Sequence, residues 1–146
     1  MPVSRSAAYV VRALLTARDT LVGVRVRLEN EVRGLLKTFG VMFGKRVGGF
    51  LRRAEEVIAG ELDVAPHLRP VFEALVAARQ AILARIRDLE VQIRAAARRS
   101  RPAQLFMTTP SVGPITALSV ASAFDCGSAW NKDPVSGVIG VQSGPP

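Results

Sequence analysis

An all-α fold follows from three properties of the chain. Its 146 residues are 49% hydrophobic but only 5% aromatic. Ala, Val, Leu and Arg fill most of the first hundred positions, a composition suited to helices packed through aliphatic seams. Apolar residues recur at alternating steps of three and four over two long stretches, which is the helical period. The expected architecture is a long antiparallel, coiled-coil-like helical hairpin. A partial helix-hairpin-helix domain and an irregular C-terminal tail follow it. The expected divisions are 1–100, 101–126 and 127–146.

The first helix is read from "SAAYVVRALLTARDTLVGVRVRLENEVRGLLKTFG". Its seam is Val11, Leu14, Arg18 (by its stem), Leu21, Arg25, Leu28, Val32, Leu35 and Phe39, the spacing of a coiled-coil stripe. Arg12, Arg27, Glu29, Glu31 and Arg33 are placed off that seam, and Gly40 supplies the C-terminal stop. From Gly40 to Pro66 five glycines and two basic pairs, Lys45–Arg46 and Arg52–Arg53, indicate a loop with a short helix near Phe50–Ala59. The second long helix begins at "HLRPVFEALV". Its seam is Leu68, Phe72 (or Val71), Leu75, Ala78, Ile82, Ile86, Leu89, Ile93 and Ala96. Arg98 and Arg99 in the last turn suit the negative end of the helix dipole. Each helix carries more apolar stripe than one partner covers, which favours a dimer over a closed intramolecular bundle.

Beyond Ser100 the texture changes. "RPAQLFMTTPSVGPITALSVASAF" reads as a short helix, a tight turn and a second helix starting near Pro114. Pro belongs in a first helical turn, and Gly113 is expected to take the positive φ of the corner. The elements fit a helix-hairpin-helix: Leu105 and Met107, then Ser111-Val112-Gly113, then Thr116, Ala117 and Leu118. Such a corner presents backbone N–H groups at a helix N-terminus, where phosphate oxygens bind without base readout. The usual hairpin has glycine at both ends of the turn, and here the first is Ser111.

The net charge is +8. Residues 1–100 hold 18 Lys+Arg against 10 Asp+Glu, and the remainder holds two of each. A basic helical block attracts polyanions, in a cytosol mostly nucleic acid, although a solvated arginine-rich surface has the same composition. Arg52, Arg53, Arg98, Arg99 and Arg101 are the candidate phosphate contacts. One cysteine, Cys126, excludes an internal disulfide and is read as a passive thiol. His67 lacks the neighbours of a metal site and is assigned a cap or surface role. The apolar stretch from Pro102 to Ala129 is interrupted by Pro110, Pro114 and Asp125. The chain is therefore expected to be soluble and cytoplasmic, without a membrane partner.

Two of these segments resemble one family. "RALLTARDTLVGVRVRLENEVRGLLKTFG", Arg12 to Gly40, is similar to the start of its coiled-coil region. "LFMTTPSVGPITALSVASAFD", Leu105 to Asp125, is similar to the opening of its C-terminal transposase domain, where the turn usually reads Pro-Gly-Val-Gly-Pro-Ile-Thr-Ala. Trp130 stands where that family has phenylalanine, in a packing role. The family is that of the bacterial insertion-sequence transposases with a DEDD-type, RuvC-like nuclease domain and a serine-bearing C-terminal domain, also described as bridge-RNA-guided recombinases.

The resemblance implies DNA transposition through a serine–DNA intermediate, guided by a structured RNA. It implies a divalent metal held by an acidic N-terminal domain whose counterpart precedes Arg12 in the family. "VQSG" echoes the segment with the nucleophile, so the resemblance makes Ser143 the candidate catalytic residue. Asp19, Glu29, Glu31, Asp88 and Glu90 are read as solvated or paired surface carboxylates without two-metal spacing, so no cofactor is expected in this chain. The resulting expectation is a truncated transposase, bound to DNA and a guide RNA, inactive alone, and dimeric with itself or with a full-length relative. The alternative is a non-catalytic helical adaptor or inhibitor of a full-length transposase.

Overall fold

A computed structural model describes residues 3–130, with side chains described from Ser6 to Phe124. The described residues are all-α, as the composition and period predict. The helices are α1 (Val3–Thr38), α2 (Gly49–Ala59), α3 (Arg69–Arg99), α4 (Arg101–Met107) and α5 (Pro114–Trp130), with a 3-10 turn at Pro66–Leu68. The chain divides into two compact units. One is Thr16–Gln92; the other joins the N-terminal stretch through Leu15 to the chain from Ile93 onward.

The unit Thr16–Gln92 is built on the antiparallel pairing of α1 and α3. Arg18 Nε donates to Glu90 Oε1 at 3.2 Å, and Arg79 Nε donates to Glu29 Oε1 at 2.8 Å. Stepping eleven residues forward on α1, from Arg18 to Glu29, steps eleven back on α3, from Glu90 to Arg79. Eleven residues make about three helical turns, so both ion pairs lie in one register on one face. Beyond them, Val32, Leu36, Val41, Phe50, Ala54, Val57, Phe72 and Val76 form the buried core. Here α2 supplies Phe50, Ala54 and Val57, one per turn.

Local chemistry sets the ends of these helices. Gly40, at φ 74°, follows the end of α1; its N–H bonds Lys37 O, and the N–H of Val41 bonds Leu36 O. This is the left-handed glycine stop that the sequence suggests, and it carries Val41 into the core. Gly60, at φ 77°, ends α2 by the same pair of bonds, to Val57 and Glu56.

The buried line differs in detail from the expected seam. On α1 it runs through Leu15, Glu29, Val32 and Leu36, while Phe39 is exposed and Leu28 and Leu35 are half-buried. Glu29, expected on a charged face, is only 9% exposed. Its carboxylate is held inside because Arg79 meets it there, which is how a buried charge is tolerated. On α3 the core residue is Phe72 and not Val71, which is 41% exposed; Ala78 is exposed, and its neighbour Arg79 turns inward. Arg25, expected to lie on the seam, is half-buried, and its Nε is the buried side-chain polar atom without a partner among the described residues.

The second unit has a different core: Leu15, Ile93, Ala97, Ala103, Ala117, Leu118 and Ala121. Alanines predominate, and they permit close approach of helix backbones. Ser100 caps α4, its Oγ accepting from the N–H of Ala103 at 3.4 Å, with Pro102 in the first turn. The Gln104 side-chain amide donates to Arg98 O, closing the end of α3. The Phe106 and Phe124 rings stack, with centroids 6.2 Å apart. Among the described residues no helix is long and apolar enough to cross a membrane.

Candidate nucleic-acid interface

The corner between α4 and α5 is built from Thr108 to Gly113. Thr108 and Thr109 close the end of α4 through N–H bonds to Leu105 O and Phe106 O, and Val112 N–H bonds Thr109 O. Val112 is half-buried and packs on the alanine-rich core, so the turn is anchored from beneath by one apolar residue. Ser111, Gly113 and Thr116 are exposed around it.

The positive φ of this corner belongs to Ser111, at 71°, and not to Gly113. That corrects the sequence reading and gives it a physical sense. The left-handed region brings a Cβ against the neighbouring carbonyl, so glycine is the low-cost residue there. Gly113 has open space where a Cβ would stand. Its lack of a side chain therefore answers no internal contact, and it leaves the backbone bare at the first turn of α5.

The first intrahelical bond of α5 is Ala117 N–H to Gly113 O, at 2.9 Å. The N–H groups of Gly113, Ile115 and Thr116 have no partner among the described residues, as at any helix start. Together with the helix dipole they form a cradle of partial positive charge. Arg98, Arg99 and Arg101 are exposed in the same compact unit, where α3 hands over to α4.

Arg52 and Arg53 lie in the other unit, on α2, and are not free cations. Arg52 Nε meets Glu56 Oε1 at 3.0 Å and Arg53 Nη1 meets Glu56 Oε2 at 2.7 Å. The hydrogen bond from Arg53 is the main reason the Glu56 carboxyl is held below its usual range, with Arg52 adding to it. One carboxylate thus offsets part of the charge of that pair. By sequence the five candidate arginines form one class; in the structure they fall in two compact units.

Ser143 lies outside the described residues, as do the tail 131–146 and the side chains of Cys126 and Trp130. Among the described residues no three His, Cys, Asp or Glu side chains are grouped to hold a metal ion. The carboxylates of Glu29, Glu56, Asp88, Glu90 and Asp19 instead face arginines. The divalent metal implied by the family resemblance therefore finds no donor set in the described part of this chain.

No protein-family model and no solved structure matches the chain. Two curated proteins are similar to it. The transposase for insertion sequence element IS1111A of Coxiella burnetii is 32% identical over 133 residues, 90% of this chain and 36% of that protein. A probable family 20 transposase of Pseudomonas aeruginosa is 35% identical over 127 residues, 84% of this chain and 37% of that protein. The chain thus spans a little over a third of the length of these relatives. Over most of its own length, it is similar to insertion-sequence transposases.

Proposed function

We propose that the chain serves DNA transposition as a helical, DNA-binding part of a transposase. The observation that carries this reading is the similarity to two transposases over 84–90% of the chain. The geometry that supports it is the α4–α5 corner, an exposed helix start with bare backbone at Gly113 and arginines at 98, 99 and 101 in the same unit. Such a corner holds backbone phosphate and positions the protein without selecting a base sequence. In this reading the long helices pair with a second copy or a longer relative, and a structured guide RNA competes for the same basic surface. Ser143 is the proposed nucleophile of strand exchange, and this chain by itself binds DNA without cleaving it.

Anisotropy of a labelled mixed-sequence duplex, measured over a salt series, tests the binding. Gly113→Ala places a methyl in open space at an ordinary φ, so the fold is retained while phosphate approach is obstructed. Weaker binding at unchanged helicity is expected. Arg98→Gln, Arg99→Gln and Arg101→Gln together are expected to flatten the dependence of log affinity on log salt, by about 0.9 for each phosphate no longer neutralised. Wild-type binding by both variants would remove the corner from the interface. Strand cleavage by the purified chain, abolished by Ser143→Ala, would replace binding alone with catalysis.

A further inference from the structure

A second basic segment belongs to the other compact unit, Thr16–Gln92. From Val32 to Ala54 the chain has six basic residues and no acidic one: Arg33, Lys37, Lys45, Arg46, Arg52 and Arg53. The fold uses three of them internally. Arg33 lies over the Phe50 ring, 4.1 Å from its centroid, and within 4.0 Å of Glu29. Arg52 and Arg53 hold Glu56. Lys37, Lys45 and Arg46 remain exposed and without a carboxylate partner among the described residues, Lys37 standing 6.0 Å over the Phe43 ring.

The same connector exposes two apolar side chains. Met42 is 78% exposed and Val47 fully so, at 106%. They are not loose ends of a poorly packed loop. Val41 near its start and Phe50 just past its end are buried in the core, and Gly40 and Gly48 turn the backbone through positive φ at either end. The loop is thus anchored on both sides and projects Met42, Lys45, Arg46 and Val47 outward.

We propose that this connector, residues 40–48, is a contact surface for double-stranded DNA. Lys45 and Arg46 engage backbone phosphates, and Met42 and Val47 press against the groove between them. The proposal rests on the reading of the chain as DNA-binding but concerns residues of the other compact unit. Charge complementarity selects the occupant. Unopposed cations beside exposed apolar side chains match a duplex that is anionic at its rails and apolar between its base steps, where such side chains act as wedges. A second copy of this chain would bring the same cations face to face. Two side chains offer too little apolar area to hold a bilayer.

The test uses the full chain, a duplex labelled at both ends, and a salt series. Lys45→Gln with Arg46→Gln is expected to weaken binding about tenfold and to lower the log–log salt slope by about 2. Met42→Ser with Val47→Ser is expected to leave that slope unchanged while reducing the bend read by energy transfer between the duplex ends. Both variants change only exposed side chains, and circular dichroism checks that helicity is kept. If the chain binds duplex but the Lys45/Arg46 variant keeps wild-type affinity and slope, this surface is overturned and the proposed function stands. If the chain binds no duplex at any salt, both fail. Preference for phosphatidylserine vesicles over duplex, or loss of a dimer on these substitutions, also overturns the DNA assignment.

Discussion

The two compact units solve the same packing problem with opposite side chains. Thr16–Gln92 fills its core with Leu36, Phe50, Phe72, Val32 and Val57, whereas the unit containing the α4–α5 corner uses Ala97, Ala103, Ala117 and Ala121 around Leu15, Ile93 and Leu118. In the first, stability comes from apolar area withdrawn from water, and truncating a side chain leaves a hole. In the second, little area is available per residue and close approach is the asset, so an added side chain is the greater danger. The helices α4 and α5 can turn tightly because their facing residues are small.

Substitutions can break this contrast at chosen points. Phe72→Ala removes a fully buried ring and is expected to cost about 3–5 kcal/mol in urea unfolding; a loss under about 1 kcal/mol would mean that the core is not set by large residues. Ala117→Leu adds volume to a site with no exposed surface and is expected to cost about 2–3 kcal/mol. In the other core Val57→Leu should be milder, and equal effects would erase the distinction between the units. Glu29→Ala leaves Arg79 half-buried without its carboxylate, at about 1–2 kcal/mol after allowance for its partial exposure. A double-mutant cycle with Arg79→Ala measures the coupling, and additive losses would deny it. The smallest expected effect is a gain: Ser111→Gly relieves the left-handed residue at the corner and should stabilise by about 0.5–1 kcal/mol. No rise in Tm would show that this serine is not under strain.

Helix ends are legible in the sequence because each carries its own chemistry. Gly40 stops α1, Ser100 with Pro102 starts α4, and Pro114 starts α5. The choice between neighbouring residues on a face is not legible. Leu28 and Glu29 sit about 100° apart on the helix, and hydrophobicity favours the leucine. Glu29 turns inward only because Arg79, fifty residues later, meets it, and a local period contains no such information. The pairing of Arg18 with Glu90 escapes a sequence reading for the same reason. At the candidate site the corner is readable from Val112, Gly113 and Pro114, but its strained position is not. A serine in the left-handed region looks like any other serine in the sequence. Lys45 and Arg46 read only as signs of a loop, since exposure of Met42 and Val47 beside them is a property of the folded chain.

The paired bridges of the long helices also settle which alignments are refused. An apolar repeat alone tolerates sliding by one of its own periods. Moving α3 by seven residues would set Glu29 opposite Phe72 or Ile86, a carboxylate against the core with no cation to receive it. Moving it by eleven would set Arg18 against Arg79, or Glu29 against Glu90, like charge on like. Because both helices read arginine first and glutamate eleven positions on, neither bridge survives a slip of seven or of eleven residues. The hairpin is therefore proofread at two points, and its register is accepted or rejected as a whole.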